Sequence, residues 1–323
     1  MRILFAGSPA IAVPSLEAVA SLSGEGFTLA GLLTKADTPK GRSGKPEPTE
    51  CAAALGAMAA AQPIPLLKPE KLDNAAREQA AALNADLLVS FAYGKIFGPQ
   101  FLALFPLGGI NIHPSLLPQY RGAAPIPAAI LNRETVTGIT IQRLAAEMDC
   151  GDILVQETMP LDGRETTASL SGIMAKKAAE LLPAALRGIA GGTLRATPQD
   201  HAAATYCSLI KKEDGLIDWN RSAAELDAQI RAFDPWPLSW TTHGELQLFV
   251  LKAEPLKAES TDNAPALPGQ VLGKDKDKGI LIQTGDGILA VSELQYRTKK
   301  AQEWRAFLNG ARNFMGVRLG NNN

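Results

Sequence analysis

The chain has 323 residues, 46% of them hydrophobic, which is enough for two domains with buried cores. A formal net charge of −1 excludes a globally basic nucleic-acid binder but says nothing of local patches. No apolar run reaches the ~18 residues of a membrane span, and the opening MRILFAG is too short for a signal peptide. Three separated cysteines, Cys51, Cys150 and Cys207, lack CxxC spacing, so a disulfide framework or a bound metal is not expected, and a reducing cytoplasm is.

In chain order, RILFAG (2–7) and FTLAGLLT (27–34) are apolar strands. PSLEAVASLS between them starts a helix on its proline. TECAAALGAMAAA (49–61) is helical by alanine propensity. PIPLL (63–67), DLLVSFA (86–92) and INI (110–112) are further strands, with an amphipathic helix at 74–82. Apolar strands alternating with helices predict a doubly wound, mostly parallel α/β sheet covered on both faces. TGITIQRL (137–144) and DILVQETMP (152–160) suit an antiparallel addition to it, and residues 167–192 form a long helix ending in two glycines.

After Gly192 the texture changes. A polar connector is followed by a helix near 223–233, a strand at 246–255 and a hairpin turning at Gly285-Asp286-Gly287. The boundaries expected are a catalytic domain at 1–189, a linker at 190–208 and a β-barrel-like domain at 209–323. Two local patches are basic. Lys35, Lys40, Arg42 and Lys45 face one acid, Asp37, and six basic residues from Arg297 onward face Glu303. For either patch taken alone, a solvated surface is the simpler reading.

The first strand leads into GSPAIA, which is not GxGxxG, and no GxxxxGK[ST] occurs, so neither dinucleotide nor ATP is indicated. Chemistry concentrates instead at NIHPSLLPQYRG (111–122). A strand places Asn111 and His113 on one face, and Pro114 ends it where ligands of open α/β sheets bind. Asp149 opens the next strand pair and can reach the same edge. These types suit acyl transfer to an amine. A neutral imidazole takes a proton, a carboxylate stabilises the imidazolium, and an amide donates to an oxyanion. A satisfied structural histidine remains open on these residues alone.

The longer runs NIHPSLLPQYRGAAPIPAAI and TGITIQRLAAEMDCGDIL resemble the folate-dependent formyltransferases, with their Asn-x-His-x-Ser-Leu-Leu-Pro and later Asp-x-Gly. ILFAGSPAIAVPSL, TKADTPKGRSGKP and DWNRSAAELDAQIRAFDPWPLSW extend the likeness over nearly the whole chain, toward the branch that formylates a charged initiator tRNA. The resemblance implies a Rossmann-like catalytic domain, a C-terminal OB-like barrel that helps hold tRNA, and a monomer. It implies Asn111, His113 and Asp149 as catalytic, and Ser115, Leu116, Leu117 and Pro118 as the folate-binding segment. It implies 10-formyltetrahydrofolate as donor, the α-amino group of initiator methionyl-tRNA as acceptor, and Arg42 and Lys45 as tRNA contacts. Departures are Ala10 and Ile11 for an acid and a phenylalanine, Gln142 for methionine, Cys150 for threonine, and a reshuffled basic loop. A small-amine formyltransferase, a formyl-folate hydrolase and a non-enzymatic RNA-binding protein are the competing readings.

Overall fold

The computed structural model describes residues 1–39, 44–58, 63–257, 266–311 and 313–320. Contacts divide it into two compact units. The first holds Met1–Pro125, Val136–Pro160 and Ser171–Ser208, and the second Ile126–Thr135, Leu161–Leu170 and Leu209–Asn323.

The first unit is built on seven strands: β1 (Arg2–Gly7), β2 (Thr28–Leu33), β3 (Leu66–Leu67), β4 (Leu87–Phe91), β5 (Gly109–His113), β6 (Val136–Arg143) and β7 (Ile153–Pro160). Their order is β7-β6-β5-β4-β1-β2-β3. β1 to β5 run parallel, in the doubly wound order 3-2-1-4-5. β6 and β7 join antiparallel beyond β5, as their alternating patterns predict. The apolar runs are apolar because both faces are covered: Ile3, Leu4, Phe5, Leu87, Leu88 and Val89 are wholly buried. β3 is shorter than the expected strand at 63–67. Pro63 and Pro65 have no N–H for a ladder, so only Leu66 and Leu67 pair with β2.

Helix α1 (Val13–Ser21) has proline in its first turn. Thr49 caps α2 (Glu50–Ala57) by accepting from Ala52 N, and Asp73 caps α3 (Asn74–Ala81) by accepting from Ala76 N. α2 is read to 61 in the sequence, but residues 59–62 lie outside the described ones. Short helices α4 (Pro99–Leu102) and α5 (Pro125–Leu131) precede the long α6 (Thr167–Ala190), which contains Pro183.

The second unit carries the expected OB-like sheet. Strands β8 (Ser239–His243), β9 (Leu246–Leu256), β10 (Val271–Asp275), β11 (Gly279–Gln283) and β12 (Ile288–Tyr296) lie in the order β8-β9-β12-β11-β10, with β13 (Gln302–Glu303) beside β12. All pairs are antiparallel. α7 (Ala223–Ala232) opens with a complete capping box, Ser222 and Glu225. It packs Leu226 and Ile230 into a core with Trp219, Leu248, Val250 and Ile280. α8 (Trp304–Gly310) adds Trp304 and Phe307. Gly285 admits no side chain, because a Cβ there would lie 1.8 Å from the Asn220 carbonyl oxygen.

Candidate active site

β5 puts Asn111 and His113 on one face at the carboxyl edge of the sheet, opposite Gln142 and Thr140 of β6. Pro114 ends the strand, and Ser115 N–H returns to the His113 carbonyl at 2.9 Å, closing a tight turn. The chain then runs through a cis Leu117-Pro118 bond to Tyr120. Tyr120 turns its carbonyl back to the imidazole, 2.8 Å from His113 Nε2. A carbonyl oxygen only accepts, so Nε2 carries the proton and Nδ1 of the neutral ring holds the lone pair.

Nδ1 lies 3.6 Å from Asp149 Oδ1, with both side chains nearly buried. Asp149 is itself fixed. Its Oδ2 accepts from Gly122 N at 2.9 Å, and its Oδ1 accepts from Gln142 Nε2 at 2.9 Å and Asn111 Nδ2 at 3.4 Å. Burial holds His113 below its ordinary value of 6.5, and the Asp149 charge and the Tyr120 carbonyl oppose that shift without reversing it. Desolvation is the largest of the three because His113 is only 4% exposed.

Two glycines make this geometry sterically possible. A Cβ on Gly122 would stand 2.2 Å from the Cys207 carbonyl oxygen, and one on Gly151 would stand 1.8 Å from the Arg143 carbonyl oxygen. The Asp-x-Gly pattern is therefore a close approach of the 149–151 turn to the end of β6.

The segment 115–118 divides by exposure. Ser115 and Leu117 are buried and tied down: Ser115 Oγ donates to Gln119 O at 2.6 Å and Leu117 N to Thr140 Oγ1 at 3.1 Å. Gln156 Nε2 donates to Leu117 O at 2.9 Å. Leu116 and Pro118 keep partly exposed faces, and Leu116 covers the space left by the missing side chain of Gly138. Leu116 and Pro118 thus present a partly exposed apolar face in the turn that follows His113. Away from these contacts, Tyr93 just beyond β4 packs in the core with Phe97 and Phe101; its buried hydroxyl has no hydrogen-bond partner among the described residues, and burial pushes it up to about 12.

Three further side chains bear on the site and had no role in the sequence reading. Arg121 is 1% exposed and sends Nε and Nη2 to Gln199 Oε1 at 3.1 and 2.6 Å. Gln199 reaches Gln142 in turn. Arg121 stood inside the quoted motif, but its burial is a tertiary fact. Gln199 belongs to residues 190–208, expected as a linker; these lie in the first unit and pair Tyr206 and Cys207 with Arg121 and Gly122. His201 is exposed, and its Nδ1 accepts from Arg121 Nη2 at 3.2 Å. In the second unit His243 bonds the Tyr296 hydroxyl at 2.7 Å. Of the two residues expected to contact tRNA, Arg42 lies outside the described residues. Lys45 is exposed beside the short ladder of Thr38–Pro39 with Pro46–Glu47.

Comparison with known proteins covers nearly the whole chain. Residues 1–186 match the formyl transferase family and 209–312 its C-terminal domain. The methionyl-tRNA formyltransferase of Treponema denticola is 49% identical over 322 residues, covering 98% of each chain. That of Treponema pallidum (strain Nichols) is 44% identical over 324 residues, covering 99% of each. HypX from Aquifex aeolicus, solved with tetrahydrofolic acid, superposes with a TM-score of 0.64 at 18% identity, over 98% of this chain and 48% of that one, about half its length. At that identity the likeness speaks to the fold. The chain belongs to the formyl transferase family, among the methionyl-tRNA formyltransferases.

Proposed function

We propose that the chain transfers the formyl group of 10-formyltetrahydrofolate to the α-amino group of initiator methionyl-tRNA in the cytoplasm, and so supports translation initiation. The carrying observation is the facing pair His113 Nδ1 and Asp149 Oδ1, 3.6 Å apart. In the neutral ring both are acceptors, because Nε2 is committed to the Tyr120 carbonyl. Two acceptors at that separation are poised to receive one N–H donor, and an attacking amine is such a donor.

His113 Nδ1 takes the amine proton as bond formation makes it acidic. Asp149 then faces an imidazolium and stabilises it. Asn111 Nδ2, only weakly engaged with Asp149, can donate to the oxygen on which negative charge collects. The bound folate supplies an activated formyl carbonyl; as the tetrahedral centre collapses, its bond to the folate nitrogen breaks and the imidazolium gives its proton to that departing nitrogen. Leu116 and Pro118 present their apolar face to the folate ring, with Ser115 and Leu117 bracing them from beneath. Among the described residues no serine or cysteine side chain bonds the imidazole, whose contacts are the Tyr120 carbonyl and Asp149, and this favours direct transfer without an acyl-enzyme.

Arg42 and Lys45, and residues 209–323 with their cations Arg297, Lys299, Lys300, Arg305 and Arg318, would contact the tRNA backbone. The relatives named above favour tRNA over a small amine as acceptor. The test is folate turnover with and without charged initiator tRNA. Formyl-methionyl-tRNA formed in step with tetrahydrofolate supports the reading. Equal tetrahydrofolate release without tRNA would identify a hydrolase instead.

A further inference from the structure

Arg121 is a fully buried cation, and among the described residues no carboxylate lies in ion-pair range of it. A buried charge is costly unless its donors are used. Here Gln199 Oε1 takes two of them, and the Tyr206 hydroxyl takes Nη1 at 3.3 Å. That contact decides which end of the Gln199 amide is oxygen.

The nitrogen end therefore faces the other way, and everything it meets is an acceptor. Gln199 Nε2 lies 2.8 Å from the Asp149 carbonyl, 2.6 Å from the Gly151 carbonyl and 3.2 Å from Gln142 Oε1. The last contact orients Gln142 in its turn. Its oxygen points to Gln199 and its nitrogen to Asp149 Oδ1, at 2.9 Å. Along Arg121, Gln199, Gln142 and Asp149 every N–H points toward the carboxylate, so two aligned amides join a buried cation to the catalytic-site anion.

The turn needs such support. Asp149 sits at φ 55°, and Gly151 packs where no side chain fits. We propose that Gln199 is a positioning residue for acyl transfer. By holding both turn carbonyls and orienting Gln142, it sets where Asp149 Oδ1 stands against His113 Nδ1. This rests on the functional reading above and adds to it a residue from the segment that follows α6.

The rival role is that Gln199 only satisfies Arg121, and Gln199→Glu in the full-length protein separates the two. Its carboxylate pairs directly with the guanidinium, so a partner for Arg121 is kept or improved. Its second oxygen, however, faces two carbonyls and Gln142 Oε1, and the donor is gone. The expected result is a kcat lower by about tenfold or more, with KM for folate and charged tRNA within about twofold. Wild-type kcat in a folded Gln199→Glu protein overturns the proposal.

A second readout needs no turnover. The chain has three histidines, so 15N imidazole signals are assignable with His201→Asn and His243→Asn. In Gln199→Glu the titration of His113 should move, because its facing carboxylate has been displaced; an unmoved titration overturns the proposal. Gln142→Met cuts only the last link and keeps Arg121 and the turn carbonyls bonded. It should shift the His113 titration in the same sense and lower kcat severalfold, and a silent Gln142→Met overturns the proposal even if Gln199→Glu does not fold. Failure of the wild-type protein to formylate charged tRNA would sink the functional reading, whereas the His113 titration judges the positioning role separately.

Discussion

The carbonyl oxygen of Tyr120 lies 2.8 Å from His113 Nε2 and so decides which ring nitrogen carries the proton. That bond leaves Nδ1 as the basic atom. His113→Ala removes it and should lower kcat by ~100-fold or more, the usual contribution of a positioned general base. Folate affinity, measured without tRNA, should survive, since Leu116 and Pro118 remain. Turnover within threefold of wild type would contradict the role.

Burial also sets the pH behaviour. His113 is held below 6.5, so the folded ring stays neutral while an unfolded one would already be protonated. Between the lowered value and 6.5 the unfolded chain binds the extra proton, so His113 costs stability as pH falls through that window and costs nothing above it. Two results should follow: the acid limb of kcat/KM lies below pH 6.5, and the loss of Tm below pH 6.5 is smaller in His113→Asn. An acid limb above 6.5 would mean that Asp149, not desolvation, dominates.

Asp149→Asn keeps the shape and removes the charge. Asparagine tolerates φ near +55° better than most residues, and its side-chain oxygen can still accept from Gly122 N or Gln142. The protein should therefore melt within a few degrees of wild type while kcat falls by about tenfold or more. Activity lost only in proportion to a collapsed Tm would make the residue structural.

Gly151→Ala tests the turn by sterics. The added methyl would stand 1.8 Å from backbone, which cannot rotate away as a side chain could. A cost of about 1–3 kcal/mol is expected from overpacking, read as a lower denaturation midpoint, together with loss of activity as Asp149 moves. Unchanged stability would show that the turn is free to shift.

Arg42→Ala should lower kcat/KM for charged tRNA by about tenfold, ~1.4 kcal/mol, with folate binding unchanged. Arg42→Lys should recover only part, because lysine lacks the planar fork that grips a phosphate or a base edge. Indifference of the tRNA kinetics to either change would leave the loop a solvated surface.

Much of the sheet was legible because its strands are short, almost wholly apolar runs, and covered parallel strands require such runs. Asn111 and His113 were legible for a simpler reason: two residues apart in a strand means one face. The tautomer of His113 was not, since it depends on a backbone carbonyl seven residues away whose direction follows from Tyr120 at φ 59°. Gln199 was hidden differently. It lies in a polar, proline-containing stretch that reads as a connector, and what brings that stretch against the site is tertiary: Thr197 pairs with Ile153, and a ladder joins Tyr206–Cys207 to Arg121–Gly122.

That ladder governs how the protein could be recombined. Joining the catalytic sheet of this chain to a foreign C-terminal domain at residue 189, where the sequence suggests a boundary, would discard Gln199, Tyr206 and Cys207. Arg121 would be left with a foreign partner or none. A junction placed after Ser208 retains them, so hybrids differing by some twenty residues at the seam should differ in whether they turn over at all.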